Sequence, residues 1–183
     1  MSDIRDLPIG IQSFEKLRAG NYVYVDKTQY VYNLVRTDKP YFLSRPRRFG
    51  KSLLLSTMKA YFEGKKHLFE GLAIAELEKE WTKYPVIYID LSRGPYTSLQ
   101  ALHNVLNHIL RIYEKKWEVE SEEREYSLRF ENVITAAFEK TKQKVAVLVD
   151  EYDKPLIGTM DDFNVHDDIR IALRGFYGVL KGM

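Results

Sequence analysis

Cysteine is absent from the 183 residues, which excludes a disulfide framework and any thiolate zinc site. Proline is scarce, at 6, and with 45% hydrophobic and 13% aromatic residues the chain is neither disordered nor a low-complexity scaffold. Long apolar runs are also missing. Val145 to Val149 is among the longest, and nothing of that length spans a membrane. The segment Met1-Ser2-Asp3-Ile4-Arg5-Asp6 lacks the basic and apolar regions of a secretion signal, so a cytoplasmic location is expected. The four histidines, His67, His103, His108 and His166, show no metal-ligand spacing. A strong net charge is lacking too, with 28 Lys and Arg against 26 Asp and Glu. The length suits one compact domain, taken as 1–183 undivided.

The near-neutral total conceals two opposite blocks. Residues 1–52 carry ten basic and five acidic side chains, and residues 150–168 carry seven carboxylates and one lysine. Four of the eight residues from Ser44 to Lys51 are cationic. Anonymous charge runs are usually solvated surface. Here each block adjoins the end of an expected strand.

Alternating aromatic and β-branched residues predict a short strand over 21–26. Thr28 is expected to cap a helix running to about Arg36. Tyr41-Phe42-Leu43-Ser44 reads as a buried strand, followed by a helix from about Leu53 that stops near Gly64. Further core strands are expected at 85–90 and 145–149, and amphipathic helices at 97–118, 121–142 and 165–181. Apolar strands separated by helices indicate a parallel sheet covered on both faces, an α/β sandwich. Ligands of such sheets bind at the carboxyl ends of the strands.

Phe49-Gly50-Lys51-Ser52 joins one of those strands to a helix. A glycine there lets backbone approach an oxyanion, and the new helix aims N–H groups at it. Lys51 can reach the β- and γ-phosphates, and the Ser52 hydroxyl can ligate Mg²⁺. This is the tail of the GxxxxGK[ST] pattern, with Arg45 at the first-glycine position. Alone the tripeptide is a weak signal. The strand 145–149 ends in Asp150-Glu151, so Asp150 can hold Mg²⁺ through water and Glu151 can orient or deprotonate an attacking water. Together the two elements point to a P-loop NTP-binding domain. The expected phosphate-binding set is Arg48, Phe49, Gly50, Lys51, Ser52 and Leu53, with Ser52 and Asp150 on the metal and Lys51 and Glu151 catalytic.

The chain resembles the AAA-ATPase-like family of bacterial P-loop proteins. The matching residues are Leu7-Pro8-Ile9-Gly10-Ile11 with Phe14, Tyr24-Val25-Asp26-Lys27-Thr28, Leu43 through Ser52, and Asp150-Glu151-Tyr152-Asp153-Lys154-Pro155. The resemblance covers nearly the whole chain, and it makes Arg45 a family trait. It implies a three-layer α/β/α P-loop fold of the AAA-like class with Mg²⁺ and ATP as ligands. By association it also implies a C-terminal nuclease-like partner domain. In this class a further strand, ending in a polar sensor residue, follows the last helix and lies between the first and third strands. The chain stops at Leu180-Lys181-Gly182-Met183, so an N-terminal fragment without that strand is expected.

The remaining residues have structural readings beside functional ones. Arg45, Arg47 and Arg48 can meet phosphate, a partner subunit, nucleic acid or solvent. Asp90 can hydrogen-bond Ser92 or restrain Glu151, and Asp153 with Lys154 can form an ion pair or a turn ahead of Pro155. Asp26, Lys27 and Thr28 lie in a pre-core segment, 1–40, where P-loop proteins often build part of the base pocket. Tyr22, Tyr24, Tyr30 and Tyr32 read as packing more than base stacking. Six carboxylates between Glu114 and Glu125 read as a solvated face or a partner surface.

Overall fold

The structure, a computed structural model, describes residues 5–37, 39–44, 46, 48–120 and 122–182. The chain divides into two compact units, Met1–Val86 and Ile87–Met183.

The first unit is helical. Ser13 caps α1 (Phe14–Ala19) by accepting from the Lys16 N–H at 3.3 Å. After it come α2 (Thr28–Val35), α3 (Lys51–Phe62), a 3-10 turn (Lys66–Phe69) and α4 (Ala73–Leu77). Helix α3 ends just before Gly64, as expected, because that residue adopts φ +69. In this left-handed turn the Gly64 and Lys65 N–H groups bond the carbonyls of Tyr61 and Ala60. The core mixes aliphatic residues with a group of aromatic rings. Phe14 and Phe69 are fully buried, with ring centroids 4.9 Å apart, and Trp81 lies 5.1 Å from Phe69.

Two expected strands of this unit do not form. Residues 22–27 are irregular, with Tyr22 and Tyr24 half-buried and Val23 and Val25 exposed. The two-residue alternation therefore reflects an irregular segment with its tyrosines turned inward. Residues 41–44 are neither strand nor buried, with Tyr41, Phe42 and Leu43 at 54%, 69% and 37% exposure. An extended segment becomes a strand only by laddering onto another. No strand lies wholly within the first unit among its described residues.

Thr28 opens α2 but does not cap it. Asp26 Oδ1 accepts from the Thr28 N–H at 2.8 Å and from its hydroxyl at 2.7 Å. Asp26 Oδ2 accepts from the Ala73 N–H at 2.7 Å, and Thr28 Oγ1 accepts from the Ile74 N–H at 3.1 Å. One carboxylate thus ties the start of α2 to the start of α4. Burial works to raise the Asp26 pKa, but the bonds from Ala73 and Thr28 outweigh it and hold the carboxyl below its ordinary value. A depressed pKa contributes stability that is present above the unfolded value and lost as pH falls through the folded one. Asp26→Ala is therefore expected to destabilise the chain by about 1 kcal/mol at pH 7, the scale of an ordinary cap. The gap to wild type should narrow in thermal unfolding as pH falls through the depressed pKa of this carboxyl.

The second unit carries the sheet. β1 (Val86–Asp90), which opens at the unit boundary, pairs with β2 (Ala146–Asp150) as a small parallel sheet, connected through α5 (Leu99–Trp117) and α6 (Tyr126–Thr141). The short α7 (Lys154–Ile157) and α8 (Phe163–Gly178) follow. Among the described residues two core strands are present where three were expected, because 41–44 forms no strand. Ser98 caps α5 and Asp162 caps α8, accepting from the N–H groups three residues on. Apolar residues at helical spacing pack against β1: Leu102 and Leu106 from α5, Phe130 and Val133 from α6, Leu173 and Phe176 from α8. The Phe130 and Phe176 rings stack at 4.7 Å.

The acidic stretch from Glu114 is only partly a solvated face. Glu114 receives a two-pronged bond from Arg129, Nε to Oε1 at 2.7 Å and Nη2 to Oε2 at 2.8 Å. Arg129 Nη1 also donates to Asn107 Oδ1 at 2.8 Å. Glu118 pairs with Lys140 at 2.6 Å. These bonds join α5 to α6.

Candidate functional site

The phosphate-loop residues belong to the first unit. Gly50 occupies the N-cap of α3 with φ +76, a conformation that glycine enters without steric cost. A Cβ added there would meet nothing within 4 Å, so glycine is required by backbone angle and the space beside it is open. Arg48, two residues earlier, also takes a left-handed φ, +67. Gly50 has no side chain with which to cap α3, and the first carbonyl bond of the helix runs from the Leu54 N–H to Gly50 O at 2.9 Å. A glycine-led helix start concentrates donors and positive dipole on one spot. Lys51 and Ser52 form the first two residues of that helix, half-buried, followed by Leu53. Arg48 is exposed, and Phe49 is exposed at 63%. Arg45 and Arg47 lie outside the described residues.

The acidic pair belongs to the second unit. Asp150 ends β2 and is buried, at 6% exposure. Its Oδ1 accepts from the Glu151 N–H at 3.0 Å, and its Oδ2 accepts from the Tyr88 hydroxyl at 3.1 Å. The Tyr88 phenol is pushed well above its ordinary pKa, first by burial and then by the Asp150 charge. It therefore remains a donor at any working pH. Glu151 turns the chain out of the sheet at φ +53, a left-handed angle that costs a non-glycine residue roughly 1–2 kcal/mol. Its carbonyl accepts from the Lys154 N–H at 3.0 Å, opening α7.

Several neighbouring residues are now placed. Asp90 Oδ1 accepts from the Ser92 N–H at 2.8 Å, one of the two roles expected for it. Lys154 donates its ammonium to the Ser92 carbonyl, and Asp153 serves as a turn residue whose carbonyl accepts from the Leu156 N–H. Asp153 and Lys154 thus take the turn reading. Tyr24 packs its ring 5.3 Å from Phe14, whereas Tyr30 is 67% exposed. His166 Nδ1 lies 3.2 Å from the Leu156 carbonyl, which ties α7 to α8. Among the described residues no three His, Asp or Glu side chains gather to hold a metal. The Ser52 hydroxyl and the Asp150 carboxylate are each hard oxygen donors of the kind Mg²⁺ takes.

Tyr88 was missed by the sequence reading. Its signal was a phenol inside an otherwise aliphatic strand, Val86-Ile87-Tyr88-Ile89. A buried hydroxyl there needs an acceptor.

No helix among the described residues is long and apolar enough to cross a membrane. No solved structure matches the chain. Among curated proteins it is 40% identical over 179 residues to an "Uncharacterized protein in vnfD 5'region" of Azotobacter chroococcum mcd 1. That match covers 97% of this chain and 34% of the relative, so the chain spans about a third of the relative's length. The family described as "Predicted AAA-ATPase" matches over residues 8–183. The chain belongs to this AAA-ATPase-like family, which implies the P-loop fold.

Proposed function

We propose that this chain is the ATP-binding part of a Mg²⁺-dependent P-loop ATPase. Membership of the family supports a P-loop fold of three α/β/α layers. The observation that carries the reading is the start of α3: a left-handed Gly50 at the N-cap, with Lys51-Ser52 as the first helical residues. In this reading the N–H groups from Arg48 to Leu53 receive the phosphates and Lys51 neutralises the β- and γ-phosphoryl oxygens. Ser52 and Asp150 hold the cation, and Mg²⁺ when bound offsets charge developing on the transferred phosphoryl group. Glu151 orients the attacking water and takes its proton.

Lys51→Ala is expected to weaken ATP binding about a hundredfold, the worth of one lost charge-assisted contact in a phosphate site. Titration with a fluorescent, non-hydrolysable ATP analogue checks this. Equal affinity in variant and wild type would remove Lys51 from the phosphate site.

A second reading is favoured by the relative's length, about three times that of this chain. Nucleotide binding here would then gate a further domain, nuclease-like if the family resemblance extends that far, with little turnover. Phosphate release from the full-length protein separates the two. Sustained release supports the ATPase, and tight binding without release supports the switch.

A further inference from the structure

The reading above leaves unexplained a phenol in the middle of β1. Tyr88 lies 62 residues from Asp150 in sequence, yet its hydroxyl donates to Asp150 Oδ2 at 3.1 Å. The other carboxylate oxygen is held at 3.0 Å by the N–H of Glu151. Among the described residues each oxygen of Asp150 thus has one donor, the residue is 6% exposed, and the plane of the carboxylate is set from two sides. A carboxylate oxygen can still accept along its second lone pair, so these donors orient the group without exhausting it.

Tyr88 is itself braced. The Tyr113 hydroxyl, from α5, accepts from the Tyr88 N–H at 2.6 Å and donates to the Tyr88 carbonyl at 3.0 Å. One phenol thus closes both backbone groups of Tyr88. The Tyr113 hydroxyl satisfies the backbone of the strand at this point, whereas the Tyr88 hydroxyl is directed to the Asp150 carboxylate.

We propose that Tyr88 is a positioning residue for Asp150, fixing the carboxylate for a divalent cation bound with nucleotide, with Tyr113 as its backbone brace. The proposal rests on the Mg²⁺-ATP reading above. Outer hydrogen-bond partners of metal ligands commonly change metal affinity by 10–100-fold.

The test titrates the full-length protein with a fluorescent, non-hydrolysable ATP analogue, first without metal and then over a series of Mg²⁺ concentrations. Tyr88→Phe, which removes one oxygen atom, is expected to leave metal-free affinity unchanged and to raise the half-effective Mg²⁺ concentration roughly tenfold. Tyr113→Phe is expected to lower the urea midpoint of unfolding without moving the Mg²⁺ dependence. In an Asp150→Asn background, Tyr88→Phe should add no further Mg²⁺ shift, as two residues acting through one contact require. An unchanged Mg²⁺ dependence in Tyr88→Phe would overturn the proposal. So would an equal loss of affinity with and without metal, or a full additional shift in the Asp150→Asn background. A wild-type protein that binds no nucleotide at any Mg²⁺ concentration would instead overturn the underlying ATP reading.

Discussion

Glu151→Gln is expected to abolish phosphate release while leaving Mg²⁺-ATP affinity intact. The substitution keeps the shape of the side chain and removes only its capacity to take a proton. Positioned general bases contribute roughly 10²–10⁴-fold, so single-turnover release by the full-length protein should slow by that factor. The backbone does not confound the comparison. Position 151 sits at φ +53 in a tight turn out of β2, and Glu and Gln pay the same cost there. The carboxylate of Asp150 stays bonded to the 151 N–H in either case. Binding would be read by titration of the same analogue. Turnover at the wild-type rate in the purified variant removes Glu151 from water activation.

The largest effect on stability is expected at Arg129. This guanidinium is buried at 9% exposure, makes both prongs of a bond to Glu114 on α5, and reaches Asn107 on the same helix. It also lies over the Tyr126 ring, with its carbon 5.6 Å from the centroid. Arg129→Ala leaves Glu114 charged and half-buried without its partner. Breaking such a pair from one side costs roughly 3–5 kcal/mol. Hydrogen exchange of peptides from α5 and α6 should report that loss as faster opening of both helices, sparing α1 to α4 in the other unit. Arg129→Lys keeps the charge and loses the fork, so it should fall between. Replacing both partners, Arg129→Met with Glu114→Leu, should recover most of the stability, because no charge is then stranded. If Arg129→Ala costs as little as a surface pair, below about 1 kcal/mol, the bond does not hold the two helices together.

Helices were legible in the sequence wherever apolar spacing and a punctuating residue coincided. α5, α6 and α8 fall within a few residues of their expected limits, and α3 stops at a glycine that takes a positive φ. Short helices such as α1, α4 and α7 were not foreseen. At four to six residues they carry too little periodicity to read and form where packing allows. Strands divided the same way. The aliphatic runs ending in Asp90 and Asp150 became β1 and β2, whereas 41–44, equally apolar on paper, did not become a strand. Apolarity is a property of a segment, but a strand is a property of a pair.

The sequence alone determined the family, through Leu43 to Ser52 and Asp150 to Pro155, and it determined the chemical types available: a glycine, a lysine, a hydroxyl and two carboxylates. Those are local strings, and their meaning does not depend on distant residues. Tertiary structure decided which polar groups are spent on the fold. It made Asp26 the clasp between α2 and α4, took Glu114 for Arg129, turned Lys154 to the Ser92 carbonyl and set Tyr88 against Asp150. Each of these pairs joins positions 15 to 62 residues apart. A hydrogen bond depends on distance in space, which no local spacing along the chain encodes.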